Sequence, residues 1–446
     1  YVVPNDEELA KRVLLLLALC FGARVHRAYA GEVLQLTLDE ALKIALSDNP
    51  TIKVADQDIE LKKVSAKEAW QSLLPTVDLN GTITYTIKTA TMNIGGNQVK
   101  MGNDASNTWN GALNISLPVY APAVYRTMKM TKDDIALAAE KSRASRLDLI
   151  NQVTKAYYQL MLAQDSYAVL QKSYNYSEEN YNVVKAKFEQ GSVSEYDKIS
   201  AEVQMRNIKP NVVAAANAVN LAKTQMKVLL GIGDPELEIQ IQDNLKNYEQ
   251  AVHEHDPLEQ VSLEQNTTLR QFTFNEKLLD HSLRIQKSAF IPTLALNYQY
   301  QYQALFNQNF QFWNYNWTPS STLALTLSIP LFHADNFTKM KTTRIQMQQL
   351  AENRLNTERQ LNMQVQTYLD NMQASNEQMA SNKESVAQAE KGLLIAQKRY
   401  DVGRGTILEL NSSEVALTQA ELTYNQAIYD YLTARADLDC LIGNDQ

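Results

Sequence analysis

Residues 399–443 read RYDVGRGTILELNSSEVALTQAELTYNQAIYDYLTARADLDCLIG, and residues 187–231 read KFEQGSVSEYDKISAEVQMRNIKPNVVAAANAVNLAKTQMKVLLG. The two align without a gap at an offset of 212 residues. Phe188 falls on Tyr400, Gly191 on Gly403, Ser194 on Thr406, Asp197 on Glu409, Glu202 on Glu414 and Gly231 on Gly443. A repeat of this period in a chain of 446 residues is a fold built twice.

Each copy reads as a helix end, a glycine turn and a returning helix. In the later returning helix the apolar positions are Leu417, Ala420, Tyr424, Ala427, Tyr431, Ala434, Leu438 and Leu441. In the earlier one they are Met205, Ile208, Val212, Ala215, Val219, Ala222, Met226 and Leu229. This alternating 3,4 spacing is a coiled-coil seam. The incoming helix carries it as well, at Val386, Ala389, Leu393, Ala396 and Tyr400. Helical stretches of about Ala123–Glu189 and Asp335–Tyr400 lead into the two turns, and neither has an internal proline. At ~1.5 Å per residue each spans about 100 Å. The returning helices are half as long, and short helices over 51–73 and 267–289 are expected to stack end-on and complete their length. Pro210 lies inside the earlier returning helix, where a bend is expected.

Between these helices the period changes to two. Val77, Leu79, Gly81, Ile83, Tyr85 and Ile87 alternate with polar residues, and so do Trp109, Gly111, Leu113, Ile115 and Leu117. The second half repeats the pattern over 294–303 and 323–329. Pro118 and Pro330 are expected to stop the second strand of each pair, and Asn93–Asn107 reads as a loop. Four strands of about ten residues with one apolar face suit a transmembrane β-barrel. A soluble sheet packed on helices shows the same alternation. Four strands cannot close a barrel alone, and open edges are not tolerated in lipid, so a membrane reading requires subunits that share one barrel. Trp109, Trp313 and Trp317 near strand ends suit an interfacial belt.

Composition narrows the function. The net charge of −8 gives no global basic surface for nucleic acid. Cys20 and Cys440 supply neither a disulfide framework nor a zinc set. The histidines of His253-Glu254-His255-Asp256 are too close in a loop to make a good metal site. No nucleophile–base pair or phosphate-binding motif is present, so no catalytic residue is assigned and no cofactor is expected. Lys11-Arg12, the apolar run Val13–Gly22 and Ala28-Tyr29-Ala30 read as a secretory signal over residues 1–30, with 1–10 an atypical upstream segment. Two repeats follow, about 34–231 and 258–443, joined by a linker over 232–257.

Taken together, LTLDEALKIALSDNP (36–50), LLPTVDLNG (73–81), the strand ends Ser116–Pro118 and Ser328–Pro330, and RYDVGRGTILEL (399–410) resemble the TolC family of outer-membrane efflux proteins. The likeness covers essentially all of 34–443. It implies an α+β membrane protein whose homotrimer closes a twelve-stranded barrel in the outer-membrane lipid of a Gram-negative bacterium. Long coiled-coil helices would continue it as a periplasmic tunnel. A periplasmic adaptor and an inner-membrane pump are the implied partners. By the same resemblance Asp197, Tyr400, Arg404 and Glu409 form the periplasmic entrance gate. Gly191, Ser194, Gly403 and Thr406 are the turns on which the adaptor docks. Gly405 stands where some members carry a gate arginine, and Ser412 where some carry a second acidic ring. The competing reading is a secreted coiled-coil scaffold or adhesin without a channel.

Overall fold

A computed structural model describes residues 33–95, 97–234, 237–249 and 261–444. The proposed signal and His253–Asp256 lie outside the described residues. The elements run β1 (Val33–Gln35), α1 (Leu38–Asp48), α2 (Pro50–Gln71), β2 (Thr76–Thr86), β3 (Thr91–Ile94), β4 (Asn97–Lys100), β5 (Ser106–Tyr120), α3 (Pro122–Glu189) and α4 (Glu195–Leu230). The second half continues with β6 (Glu238–Gln240), α5 (Thr267–Ser288), β7 (Thr293–Asn307), β8 (Thr318–Ser328), α6 (Ala334–Asp401) and α7 (Ile407–Ile442). Helices α3 and α6 each contain 68 residues, and α4 and α7 each contain 36. The short helix, strand pair, long helix and returning helix thus recur in both halves, while α1 and the β3–β4 pair have no counterpart among the described residues of the second.

The residues fall into two compact units, each drawing on both repeats. Of the described residues, the first takes 33–50, 148–234, 237–249 and 366–440, and the second 51–95, 97–147, 261–365 and 441–444.

In the first unit the core forms where α3 crosses the chain between the repeats. Tyr157, Leu160, Met161, Ile239 and Leu245 are fully buried. The Tyr157 hydroxyl donates to the Asp243 carboxylate at 3.0 Å. The linker expected over 232–257 carries local structure among its described residues. Strand β6 pairs in parallel with β1, and a 3-10 turn over Leu245–Tyr248 is seated by a bond from the Leu245 amide to Asp165 Oδ2. Three-residue strands are too short to show a period, so the pairing was invisible in the sequence. Helix α1 begins on a complete capping box: Thr37 accepts from the Glu40 amide while Glu40 reaches back to the Thr37 amide.

The second unit holds an antiparallel sheet in the order β2-β5-β7-β8. Its register carries the two-residue alternation coherently across all four strands. Val77 lies opposite Ile115, Ile115 opposite Tyr298, and Tyr298 opposite Leu323. The next row, on the other face, is Asp78, Asn114, Gln299 and Thr322. On that polar face Ser116 Oγ donates to Asn297 Oδ1 at 2.8 Å and Asn297 Nδ2 to Thr326 Oγ1 at 3.1 Å. On the apolar face Leu79, Leu323 and Leu325 are 81%, 68% and 65% exposed. These leucines stay largely uncovered by the described residues. At the hairpin ends Trp109 stacks on Phe312 with ring centroids 5.9 Å apart, and Tyr302 meets Trp317 at 6.4 Å.

Two strand expectations are corrected. Pro118 does not stop β5, which continues to Tyr120. The β2 ladder already ends at Ser116, so beyond it β5 has a neighbour only on its β7 side, where the register shifts between Pro118 and Tyr120. A residue without an N–H is tolerated where one side of the strand is unpaired. The expected loop at 93–107 contains most of a small hairpin, with Met92 opposite Val99. Its Gly95-Gly96 connection is a two-residue hairpin signal that the sequence reading passed over.

Both short helices start on an asparagine that hooks the end of a returning helix. In the first unit Asn49, directly ahead of Pro50, donates from Nδ2 to the Leu229 carbonyl at 2.8 Å. In the second, Asn266 caps α5 by accepting from the Leu269 amide and donates to the Leu441 carbonyl at 2.6 Å. An orphan carbonyl of one helix end is thereby satisfied by the cap of the next. There Arg143 also donates to the carbonyls of Gly443 (2.7 Å) and Gln265 (3.1 Å), and buried Glu140 pairs with Arg143 and Arg270.

Candidate functional site

The two glycine turns lie in the first unit and share one construction. At the α3–α4 turn the Ser192 amide donates to the Lys187 carbonyl and the Gly191 amide to the Phe188 carbonyl, each at 2.8 Å. At the α6–α7 turn Arg404 donates to Arg399 at 2.8 Å and Gly403 to Tyr400 at 3.1 Å. These are Schellman closures, which place the glycine in left-handed backbone. Gly191 has φ +73° and Gly403 has φ +69°. A Cβ on either would meet nothing within 4 Å.

Ser194 and Thr406 are the caps of the returning helices. Ser194 Oγ accepts from the Asp197 amide at 3.1 Å, and Asp197 Oδ2 accepts from the Ser194 amide at 3.1 Å and from its hydroxyl at 2.8 Å. Thr406 Oγ1 accepts from the Glu409 amide at 3.2 Å. Glu409 does not close the box in return. Its carboxylate lies 3.6 Å from Arg399 Nη1, with both side chains about half exposed. Such a pair contributes little to stability, but it places a cation beside the acid. Arg404 is exposed and makes no ion pair among the described residues.

Tyr400 occupies a different environment from Arg404. It lies in the cluster that joins the turns, with Val184, Ala201, Ala396, Ile407 and Leu410. Lys187 Nζ stands 5.1 Å from its ring centroid. Its hydroxyl is buried without a partner. Burial, then the charges of Asp197 and Asp401, push its ionisation above the ordinary phenol range. Within the protomer, then, Tyr400 is a core residue with an unsatisfied hydroxyl, Asp197 a capping acid and Arg404 a free surface cation. The structure brings Tyr400 and Asp197 into one electrostatic neighbourhood and leaves Arg404 outside it. Gly405 donates its amide to the Arg399 carbonyl at 2.9 Å, and a Cβ there would stand 3.0 Å from the Tyr400 nitrogen. The close backbone accounts for glycine at a position where a long side chain would force a shift. Sequence reasoning missed Arg399, an exposed residue marked out only by its nearness to Glu409, and Glu414, marked out only by its burial.

The model of the outer membrane efflux protein family matches residues 41–232 and 258–444. The chain belongs to that family. It is an efflux channel of the Gram-negative outer membrane, with barrel strands continued by long helices. The outer membrane protein TolC of Vibrio cholerae serotype O1 is 20% identical over 390 residues, spanning 87% of this chain and 86% of that protein. Among solved structures, the Campylobacter jejuni CmeC outer membrane channel superposes with a TM-score of 0.70 at 16% identity, covering 93% of this chain and 90% of that one. The open state of the Neisseria gonorrhoeae MtrE outer membrane channel gives 0.71 at 18%, covering 91% and 88%. Among the described residues no helix is long and apolar enough to cross a membrane.

The open space around Gly191 and Gly403 supports a specific expectation. Alanine at either should cost only the left-handed penalty, about 1 kcal/mol. Tryptophan at either should leave assembly and membrane insertion intact while abolishing export, read by native electrophoresis alongside a drug-accumulation assay. Loss of assembly with the bulky variants would make these glycines structural alone.

Proposed function

We propose that three copies of this chain close a twelve-stranded barrel and a periplasmic tunnel. In this reading a periplasmic adaptor docks on the turns at Gly191, Ser194, Gly403 and Thr406, and an inner-membrane pump delivers cargo to the entrance. Residues 1–30 serve as the export signal, and 34–231 and 258–443 are the two repeats. The observation that carries the proposal is the sheet. Its apolar face is most exposed on the two edge strands, at Leu79 of β2 and at Leu323 and Leu325 of β8, and β2 and β8 each keep an unpaired side among the described residues. Open edges in lipid must be paired, and a neighbouring protomer supplies the partner. A secreted scaffold would leave that face in water.

At the entrance, three Glu409 carboxylates around the threefold axis form an acidic ring that attracts cations. Arg399 tempers it, because a cation lies within ion-pair distance of each acid. Asp197 adds to the same field, with Tyr400 and Arg404 completing the gate. The test is single-channel recording in planar bilayers. Glu409→Ala should weaken cation selectivity, Arg399→Gln should strengthen it, and both effects should shrink at high salt. Unchanged selectivity in both variants would remove the ring from the mechanism. Substitution of Tyr400 is a poor probe of closure, since it opens the protomer's own core.

A further inference from the structure

Glu414 is the buried acid that the reading above does not use. It lies two turns into α7, is 3% exposed, and faces α3. Its Oε1 accepts from Ser173 Oγ at 3.0 Å and also from Ser177 Oγ, both serines being buried. Its Oε2 is buried with no partner. The residue aligned with it in the first repeat, Glu202, is instead a surface group paired with Arg206 at 2.7 Å. One position of the duplicated fold has therefore become an inward carboxyl that ties a helix of the first repeat to a helix of the second.

We propose that Glu414 is a proton-operated latch between α3 and α7, closed when its carboxyl is neutral and weakened when it ionises. The surroundings set the sign. From α3 the facing groups are Ser173, Ser177 and Tyr176, whose hydroxyl donates to Gln397 of α6. From α7 Thr418 donates to Ser173 Oγ at 3.0 Å. The charges beyond them are Asp401, Glu179 and the outlying Lys172–Glu421 pair. Among the described residues no cation contacts Glu414. Burial raises its proton affinity above the ordinary glutamate range, and the two serine hydroxyls offset that only in part. Tyr176 is half-buried; that burial, with the charges of Glu414, Asp401 and Glu179, pushes it up to about 12, so it stays neutral.

If α7 parts from α3, the carboxyl meets water and titrates in its ordinary range. Packing and proton binding are therefore linked. The raised value belongs to the packed state, so the latch is at full strength below the ordinary glutamate range. It is lost as pH rises through the raised value. For its consequence this rests on the duct reading: parting these helices loosens the entrance end.

The experiment compares wild type, Glu414→Gln and Ser173→Ala/Ser177→Ala in planar bilayers from about pH 4 to about pH 8. Wild-type open time should rise with pH, by up to about tenfold per unit for one linked proton. Glu414→Gln, a permanent mimic of the neutral acid, should stay at the acid-side level throughout. Removing the serine donors destabilises the ionised form, so the rise should move to higher pH. Infrared absorbance of the protonated carboxyl, wild type minus Glu414→Gln, reads the same proton without current. Failure of wild type to conduct would sink the duct reading and leave the infrared titration to decide the latch. An unchanged pH profile in Glu414→Gln, or an infrared midpoint at the ordinary glutamate value, overturns the proposal.

Discussion

Tyr298→Lys is expected to destabilise the inserted protein by roughly 2–4 kcal/mol, and Gln299→Lys by far less. Tyr298 belongs to the row Val77, Ile115, Tyr298, Leu323, apolar on every strand. Gln299 belongs to the row Asp78, Asn114, Gln299, Thr322, polar on every strand. Adjacent residues of one strand thus face opposite media, and a charge near mid-strand meets hydrocarbon at one and water at the other. Denaturant titration in phospholipid vesicles, followed by tryptophan fluorescence, measures the difference. Equal tolerance of lysine at the two positions would mean that both faces are wet and that the sheet does not span a membrane.

Gly443→Ala is expected to cost about 2–4 kcal/mol, against about 1 kcal/mol for Gly403→Ala. Both glycines have left-handed backbone, with φ +78° and +69°, and share a penalty of ~1–2 kcal/mol for a side chain there. They differ in what surrounds them. A Cβ at 443 would lie 2.3 Å from the Gln265 carbonyl oxygen and 2.8 Å from its carbon, whereas a Cβ at 403 meets open space. Gln265 cannot give way freely, since its carbonyl is held by Arg143 and the neighbouring Asn266 by the Leu441 carbonyl. Overpacking against fixed backbone adds ~1–3 kcal/mol. Thermal unfolding of the two variants in one detergent provides the comparison. A smaller loss at 443 than at 403 would show that the joint between α7 and α5 is soft.

How much of this was legible beforehand depended on how local the signal was. The glycine turns and the helix seams were readable because each is written within a few residues. Tyr400 is buried as its seam position required. The sheet's two faces followed from alternation, since a register that mixed them would have buried polar rows against apolar ones. The β1–β6 pair was not legible, because three residues carry no period. Nor was the course of β5 through Pro118, which depends on where a neighbouring strand ends. Glu414 marks the limit most plainly. It aligns with Glu202, and nothing in either stretch announces that one meets arginine on the surface while the other meets two serines in the interior. The entrance residues were placed by likeness alone, and their partners within the protomer, Arg399 for Glu409 and the Ser194 cap for Asp197, needed coordinates.

The asparagine hooks imply an order of events. Each helix hairpin turns on contacts between residues close in sequence, whereas the hooks join residues 180 and 175 positions apart. Contacts that close long loops form late and slow the overall rate. The hairpins should therefore assemble as separate pieces before Asn49 and Asn266 engage. The Leu441 carbonyl lies near the end of the described chain, so its hook cannot close until nearly all of that chain has left the ribosome and crossed the inner membrane. Until then α5 is untethered at its start, although the Asn49 hook on α2 needs only Leu229, and in that interval a protease or a chaperone has its best access to the second half of the chain.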